Sequence, residues 1–351
     1  MKKSSMTEKI LQTIYDYTKN YNDPSNNPLN EKNPNFQVIV RDGNVNISLS
    51  INPSDVEKVK ELVNILKNKI NTINGVLSVN VVLTSEKTLN SNENKANRFK
   101  INAKNIIAIA SGKGGVGKST FAVNISTALS KIGKKVGLLD ADIYGPSVPR
   151  MMGIIDKPKA NENKKLIPLQ NFGIKCMSIG FLIGVDTPTI WRGPMIMKAL
   201  EQMFSGVEWG NLDYLIIDLP PGTGDAQLTL AQSSKLSGSI IVSTPQDVAL
   251  IDVRKGINMF KKVNVPILGL VENMSYFICD NCNQEHFIFA SEGAKKESEK
   301  FQIPFLGSLP IDKKLRIQSD KGIPSCIDDP NGSMAKKFIE IATNLNQSLE
   351  Y

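Results

Sequence analysis

Ile106-Ile107-Ala108-Ile109-Ala110-Ser111-Gly112-Lys113-Gly114-Gly115-Val116-Gly117-Lys118-Ser119-Thr120 decides how the chain is read. A short apolar run passes into a glycine-rich loop, and the loop into a helical pattern. Glycines let the backbone turn tightly and aim its N–H groups at an anion. The helix that follows adds partial positive charge at its N-terminus. From Gly112 to Ser119 the spacing is G-x-x-x-x-G-K-[ST], the strand–loop–helix unit that cradles nucleotide phosphates. Lys118 is expected to reach the β/γ-phosphates and the Ser119 hydroxyl to reach Mg²⁺.

Downstream of the loop, near-continuous apolar runs recur at Val136–Leu139, Tyr214–Ile217, Ser239–Val242, Ile267–Val271 and Phe305–Leu309. Runs apolar on both faces suit parallel strands buried between helices, so the fold class is α/β with a doubly wound, mostly parallel sheet. In such sheets the ligand sits beyond the carboxyl ends of the strands, and the chemically suggestive residues fall there. Asp140-Ala141-Asp142 closes one run, where a carboxylate facing the loop can orient a water or a Mg²⁺ shell. Asp218 ends Asp213-Tyr214-Leu215-Ile216-Ile217-Asp218 and would hold Mg²⁺ through water. Leu219-Pro220-Pro221-Gly222-Thr223-Gly224-Asp225 is a stiffened, glycine-hinged loop able to follow the γ-phosphate as switch loops do. Asn273, after Val271-Glu272, could pair with an adenine edge through its amide.

Upstream, residues 1–84 read as a small α-β-β-α-β domain. Ile10, Leu11, Ile14, Tyr15 and Tyr17 carry a helical spacing, and Phe36–Ile51 alternates around an Asp42-Gly43-Asn44 turn. Ser54 or Asp55 can cap a helix through about Ile70, and Gly75–Leu83 is a final strand. Residues 85–104 are polar and rich in Asn and Lys, a linker composition. Residues 105–351 then carry the nucleotide machinery.

With 351 residues and 41% hydrophobic content, one large domain plus a small one can both bury cores. The net charge of +8 is spread along the chain without blocks, which suits a solvated basic surface better than a nucleic-acid footprint. No apolar run reaches the ~18 residues of a spanning helix. The opening Met-Lys-Lys-Ser-Ser-Met-Thr-Glu has no apolar core behind it, so no secretory signal is expected. Residues 334–348 are amphipathic, but Lys336 and Lys337 alone mark the polar side, so a packed terminal helix is expected rather than a membrane anchor.

Four cysteines in a chain this long are no disulfide scaffold, and a reducing, cytoplasmic setting follows. Cys176 lies in an apolar run and reads as a buried hydrophobe; Cys326 reads as a loop thiol. Cys279-Asp280-Asn281-Cys282 has the spacing of two thiolates on one metal centre. His286, the only histidine, brings the local donors to three at most. A symmetric dimer supplies two cysteines from each chain around one axis. A zinc knuckle or a redox dithiol are the other uses of such a pair.

The Lys113…Lys118 arrangement resembles the deviant Walker A loop of the ParA/MinD/nitrogenase-iron-protein class. That resemblance implies that Lys113 crosses a dimer interface to the partner's nucleotide, and that Asp142 positions the attacking water. From about Asn105 to Ala342 the chain resembles the Mrp/ApbC iron–sulfur carrier ATPases. The matching phrases are Gly112–Thr120, Leu139–Pro149, Trp191-Arg192-Gly193-Pro194-Met195, Asp213–Asp225, Ser243–Leu250, Glu272–Ser275 and the Cys279/Cys282 pair. Phe289-Ala290-Ser291-Glu292-Gly293 departs from the more glycine-rich turn expected after the cysteines.

The resemblance implies a cytoplasmic homodimer that binds and slowly hydrolyses ATP with Mg²⁺ and bridges a 4Fe–4S cluster on Cys279 and Cys282. It further implies transfer of that cluster to apo iron–sulfur proteins, with no nucleic-acid or membrane partner. Lys113, Lys118 and Asp142 are then the catalytic residues, and Gly112–Thr120, Asp218 and Asn273 the nucleotide-binding ones. Residues 1–84 resemble the MIP18-like domain fused in front of such ATPases. They lack its Asp-Pro-Glu and reactive-cysteine features, which leaves a docking role. A MinD/ParA-type positioning ATPase and a zinc-stabilised scaffold are the competing classes.

Overall fold

The computed structural model describes residues 2–41, 43–51, 55–84, 101–182 and 193–350. Asp42, Ser54, Trp191, Arg192 and residues 85–100 of the linker lie outside them. The chain divides into two units, Met1–Asn92 and Glu93–Tyr351.

The first unit runs α1 (Lys2–Thr18), β1 (Phe36–Arg41), β2 (Asn44–Ser50), α2 (Val56–Asn71) and β3 (Ser78–Thr84). β1 and β2 pair antiparallel, with Val38 opposite Ile47, and β3 adds to β2 in parallel. Val45, Ile47 and Leu49, alternating along β2, bury one face of the sheet in a cluster with Ile10, Ile14, Val59, Leu66 and Ile70. Two local expectations shift. Tyr17 is not in the core: it is 44% exposed, with the Lys69 ammonium 5.9 Å from its ring. Asp55 stands at the helix start without capping it, and its carboxylate pairs instead with Lys58 at 2.7 Å.

In the second unit the apolar runs become the strands of an eight-stranded sheet, in the order β13-β10-β9-β4-β8-β5-β7-β6. These are β4 (Ala103–Ala110), β5 (Val136–Asp140), β6 (Leu169–Asn171), β7 (Ile174–Ser178), β8 (Leu212–Asp218), β9 (Gly238–Ser243), β10 (Ile267–Glu272) and β13 (Phe305–Ser308). Every neighbouring pair is parallel except β6 on β7. The run around Cys176 is thus β7, which with β6 lies beyond the six runs read as strands from the sequence, and Cys176 is fully buried in it. β5 and β9 are buried at every position, which is why they are apolar without alternation.

Helices α3 (Lys118–Lys131), α4 (Val148–Met151), α5 (Gly193–Ser205), α6 (Asp225–Ser233), α7 (Asp247–Lys262), α8 (Gly293–Phe301), α9 (Lys313–Lys321), α10 (Ser325–Asp328) and α11 (Ser333–Glu350) complete the unit, with a small ribbon of β11 (Phe277–Ile278) and β12 (Glu285–His286). α3 is buried from Phe121 to Leu129, because α11 lies along its outer side; the Phe121 and Phe338 rings meet at 6.0 Å. Met334, Phe338, Ile341, Ala342 and Leu345 of α11 face this core, so the terminal amphipathic stretch packs as expected. Among the described residues no helix is long and apolar enough to cross a membrane. Cys326 corrects its reading as a loop thiol: it is fully buried in α10, and burial pushes its thiol up to about 11.

Candidate functional site

β4 lies between β9 and β8, and its carboxyl end delivers the phosphate loop. Gly115 and Gly117 hold φ of +82° and +86°, a left-handed backbone that costs a side chain dearly. A Cβ on Gly117 would overlap the Asn273 amide, and one on Gly112 would overlap Asp252. Around Gly114 and Gly115 the opposite holds: an added Cβ meets nothing within 4 Å. The loop is therefore clamped at both ends and open at its crown, the shape of a cradle. Ser111 Oγ donates to the Lys113 carbonyl at 3.0 Å, and the Lys113 side chain is exposed. The Gly222 N–H donates to the Ser111 carbonyl at 2.9 Å, which ties the glycine-hinged loop after β8 to the cradle's rim.

Beneath the cradle two carboxylates, Asp218 and Asp142, share one cation. Lys118 begins α3, and its ammonium lies 2.6 Å from Asp218 Oδ1, 3.2 Å from Ser119 Oγ and 3.8 Å from Asp142 Oδ2. Asp218 ends β8 and Asp140 ends β5 directly across from it in the sheet register. Both are fully buried. Burial first, and the Asp218 charge second, push Asp140 up to about 8. Asp140 in turn contacts the Ser178 hydroxyl at 3.0 Å and accepts the Asp142 and Val148 N–H groups at 3.1 and 3.3 Å. It thereby fixes the turn that aims Asp142 at the loop. Burial also raises Asp218, against the pull of Lys118.

Asp218 Oδ2 is buried and has no hydrogen-bond partner, while the Ser119 hydroxyl accepts from the Lys118 ammonium that pairs with the same carboxylate. An orphaned carboxylate oxygen beside a hydroxyl, under an open anion cradle, is a donor set that fits Mg²⁺ with a nucleotide.

Asn273 follows β10, and its amide nitrogen donates to the Val116 carbonyl of the cradle at 2.9 Å. One N–H of the amide that is expected to meet an adenine edge is engaged by the loop, so Asn273 also braces the loop. Its neighbour Glu272 is fully buried and takes the Ser275 hydroxyl at 2.5 Å and the Ala294 N–H at 2.7 Å. Ser275 and Ala294 stand at the two ends of the excursion that carries the cysteines. Glu272 thus closes the base of that excursion. Its role was invisible in the sequence, because a glutamate ending an apolar run gives no sign of a partner that lies 22 residues on.

Within the excursion, β11 and β12 pair antiparallel with Phe277 opposite His286 and Ile278 opposite Glu285. The Cys279 N–H donates to the Gln284 carbonyl at 3.0 Å, and the Asn283 N–H to the Cys279 carbonyl at 2.9 Å. Asn283, at φ +58°, closes the tight turn. Cys279 Sγ, Cys282 Sγ and a His286 ring nitrogen all lie within 4.8 Å of one another. Hydrogen bonds from the Cys282 and Asn281 backbone hold the Cys279 thiol below its ordinary range, favouring the thiolate that binds metal. Cys282 is exposed, and Phe287 and Ile288 beside it are 53% and 58% exposed. Cys176 and Cys326 remain apart from this group, each in the core.

Residues 102–346 match the model of ParA, described as NUBPL iron-transfer P-loop NTPase. An Arabidopsis thaliana protein named "Iron-sulfur protein required for NADH dehydrogenase, mitochondrial" is 54% identical over 248 residues, covering 70% of this chain and 79% of its own. An Aquifex aeolicus "Iron-sulfur cluster carrier protein" is 51% identical over 249 residues, 70% of this chain and 68% of its own.

Among solved structures, the Archaeoglobus fulgidus nucleotide-binding protein, described in complex with ADP and with Co found by PIXE, is 40% identical at a TM-score of 0.59. That match covers 68% of this chain and 93% of its own. The Pyrococcus furiosus cell division ATPase MinD, at 23% identity and a TM-score of 0.53 over 70% of this chain and 99% of its own, shares the fold. With the cradle, the carboxylates and the cysteine pair on one sheet, and relatives of this similarity, the chain belongs to the NUBPL/ParA family of iron-transfer P-loop NTPases.

Proposed function

We propose that this protein is an ATP-hydrolysing carrier that bridges a 4Fe–4S cluster between the Cys279 and Cys282 pairs of two protomers and hands it to apo iron–sulfur proteins. One observation carries the reading: an exposed two-thiol hairpin leaves the same sheet edge as the phosphate cradle and is braced to it. β10 lies two strands from β4, about 10 Å, and Asn273 touches the cradle six residues before Cys279. Two thiolates satisfy half of a four-iron cluster, and a second copy supplies the rest. The exposed apolar side chains of Ile278, Phe287, Ile288 and Phe289 around the pair favour such a partner. Relatives named as iron–sulfur cluster carriers support the cargo.

In the nucleotide half, the open N–H groups of Gly114 and Gly115 receive phosphate oxygens. Lys118 exchanges its Asp218 partner for the phosphates, and the exposed Lys113 reaches across the dimer to the partner's nucleotide. Asp142, held by Asp140, orients the attacking water. Ser119, and Asp218 through water, would hold Mg²⁺, which would supply charge neutralisation to the phosphates. Departure of the γ-phosphate frees the Gly222 loop, and the Val116–Asn273 contact carries the change toward the cysteine hairpin. Residues 1–84 serve as a docking module, joined through residues 85–102, since Ala103 and Lys104, expected in the linker, already belong to β4.

A positioning ATPase has no use for the hairpin. The test is transfer of a preloaded cluster to an apo-ferredoxin with and without ATP. The account expects ATP to change the rate for the native protein and to leave Lys118→Ala unaffected. Equal rates in all four conditions would remove the coupling.

A further inference from the structure

We propose that His286 is a third metal ligand, so that a single protomer binds one thiophilic divalent ion, such as Zn²⁺ or Fe²⁺, through Cys279, Cys282 and His286. The inference deepens the reading of Cys279 and Cys282 as the cargo site and rests on it.

The argument begins with register. Side chains alternate along a strand, so Phe277 and the position two on, Cys279, share one face of the ribbon. His286 pairs directly across from Phe277 and presents to that same face. The turn closed by Asn283 brings Cys282 back to join them, and the three donor atoms come within 4.8 Å. A tetrahedral ion holds thiolates at about 2.3 Å and imidazole at about 2.0 Å, so its ligand atoms stand roughly 3.5–4 Å apart. The group needs only a small closure to reach that spacing. Its position suits capture from solution, because Cys282 and His286 are both exposed.

Three donors also separate two modes of use. A cluster shared on a dimer axis is satisfied by four thiolates and leaves the imidazole over. A lone protomer has no such thiolates to borrow, and His286 completes a Cys₂His set with one coordination position open to water or to an incoming thiol. His286 is then the ligand that yields when a second protomer arrives. The structure thereby assigns the isolated subunit a way to keep both thiolates bound to metal between rounds of cluster loading.

Anaerobic titration of the full-length reduced protein with Co²⁺ alone tests this, because tetrahedral thiolate-bound cobalt has strong visible ligand-field bands and a near-ultraviolet charge-transfer band. The expected result is tetrahedral cobalt saturating at one ion per protomer. His286→Ala should weaken binding by more than the roughly 10–100-fold typical of removing a mere supporting partner of a ligand. His286→Cys should restore it with a stronger charge-transfer band, since three thiolates then contribute. Retained ADP binding in each variant reports that the unit remains folded.

Native-like cobalt binding in His286→Ala, or one cobalt per two protomers in the native chain, overturns the role of His286 while leaving the cysteine pair as ligands. Undiminished tetrahedral binding in Cys279→Ala/Cys282→Ala overturns the reading of the pair itself.

Discussion

The phosphate cradle and the cysteine hairpin leave one sheet two strands apart, and they are built in opposite ways. Beneath the cradle, Lys118, Asp140, Asp142 and Asp218 are buried where β5 and β8 end and α3 begins, with the Lys118 ammonium already paired to Asp218 and Asp142. The hairpin keeps its cysteines at the surface on a two-residue ribbon, held mainly by turn hydrogen bonds and by Glu272 at its base. The cradle is a preorganised site, whose strain and desolvation are met by the surrounding core. On the proposed reading the hairpin is a half-site, its donors and apolar skirt left for something outside the protomer. The difference teaches where each half can fail: the first through its fold, the second through its ligands.

The sharpest way to break the comparison is Lys118→Ala. Nucleotide affinity should fall by about 2–5 kcal/mol, the cost of truncating one member of a buried charge pair. Iron bound at the cysteines should be unchanged. Calorimetric titration with ATP and an iron assay read both halves, and parallel losses would dissolve the distinction. Stability should fall by less than the roughly 3–5 kcal/mol of a broken buried ion pair, because the already raised Asp218 can take up a proton.

Gly117→Ala comes next. A side chain at φ +86° that also overlaps the Asn273 amide should cost about 1–3 kcal/mol of nucleotide affinity. Gly133→Ala, at the same φ of +86° but in open space and far from phosphate in sequence, should cost stability only. An equal effect of the two on ATP binding would contradict the cradle geometry.

Asn273→Ala addresses the bridge between the regions. Losing the bond to Val116 should weaken ATP binding by about 1–3 kcal/mol, and should reduce the effect of ATP on cluster transfer more than it reduces binding. Full coupling in this variant, at saturating ATP, would place the communication elsewhere.

A further difference is a pH slope that belongs to the cradle alone. Asp140 is raised from 3.8 to about 8, so the folded state keeps a proton that the unfolded chain releases. Its contribution to stability is complete below the unfolded value and is lost as pH rises through about 8. Denaturant midpoints of the nucleotide-free protein should therefore decline across that window, and Asp140→Asn should flatten the decline. An identical slope in both proteins would mean that Asp140 is not the titrating group.

The same contrast governs what could be read from sequence. Gly112–Ser119 is legible because its chemistry depends on local spacing, and Asp218 because a carboxylate closes an apolar run. The cysteine pair is legible for the same local reason. Asn273 holding Val116 across 157 residues, and Glu272 holding both ends of the hairpin, are long-range closures with no local signature. The β6–β7 edge was obscured because a short strand around a buried cysteine resembles any apolar segment. Cys326 was misplaced because Pro324 and Ser325 signal a turn equally well when they open a short helix, as they do here.

The central claim is that the hairpin is half of a site completed by a second protomer. The measurement is anaerobic reconstitution with iron and sulfide, followed by mass in solution together with iron per protomer, for the native chain and for Cys279→Ala/Cys282→Ala. The account predicts a brown dimer with about four irons for every two native protomers, and a colourless double variant. A cluster-bearing monomer, or equal iron in both proteins, would contradict it.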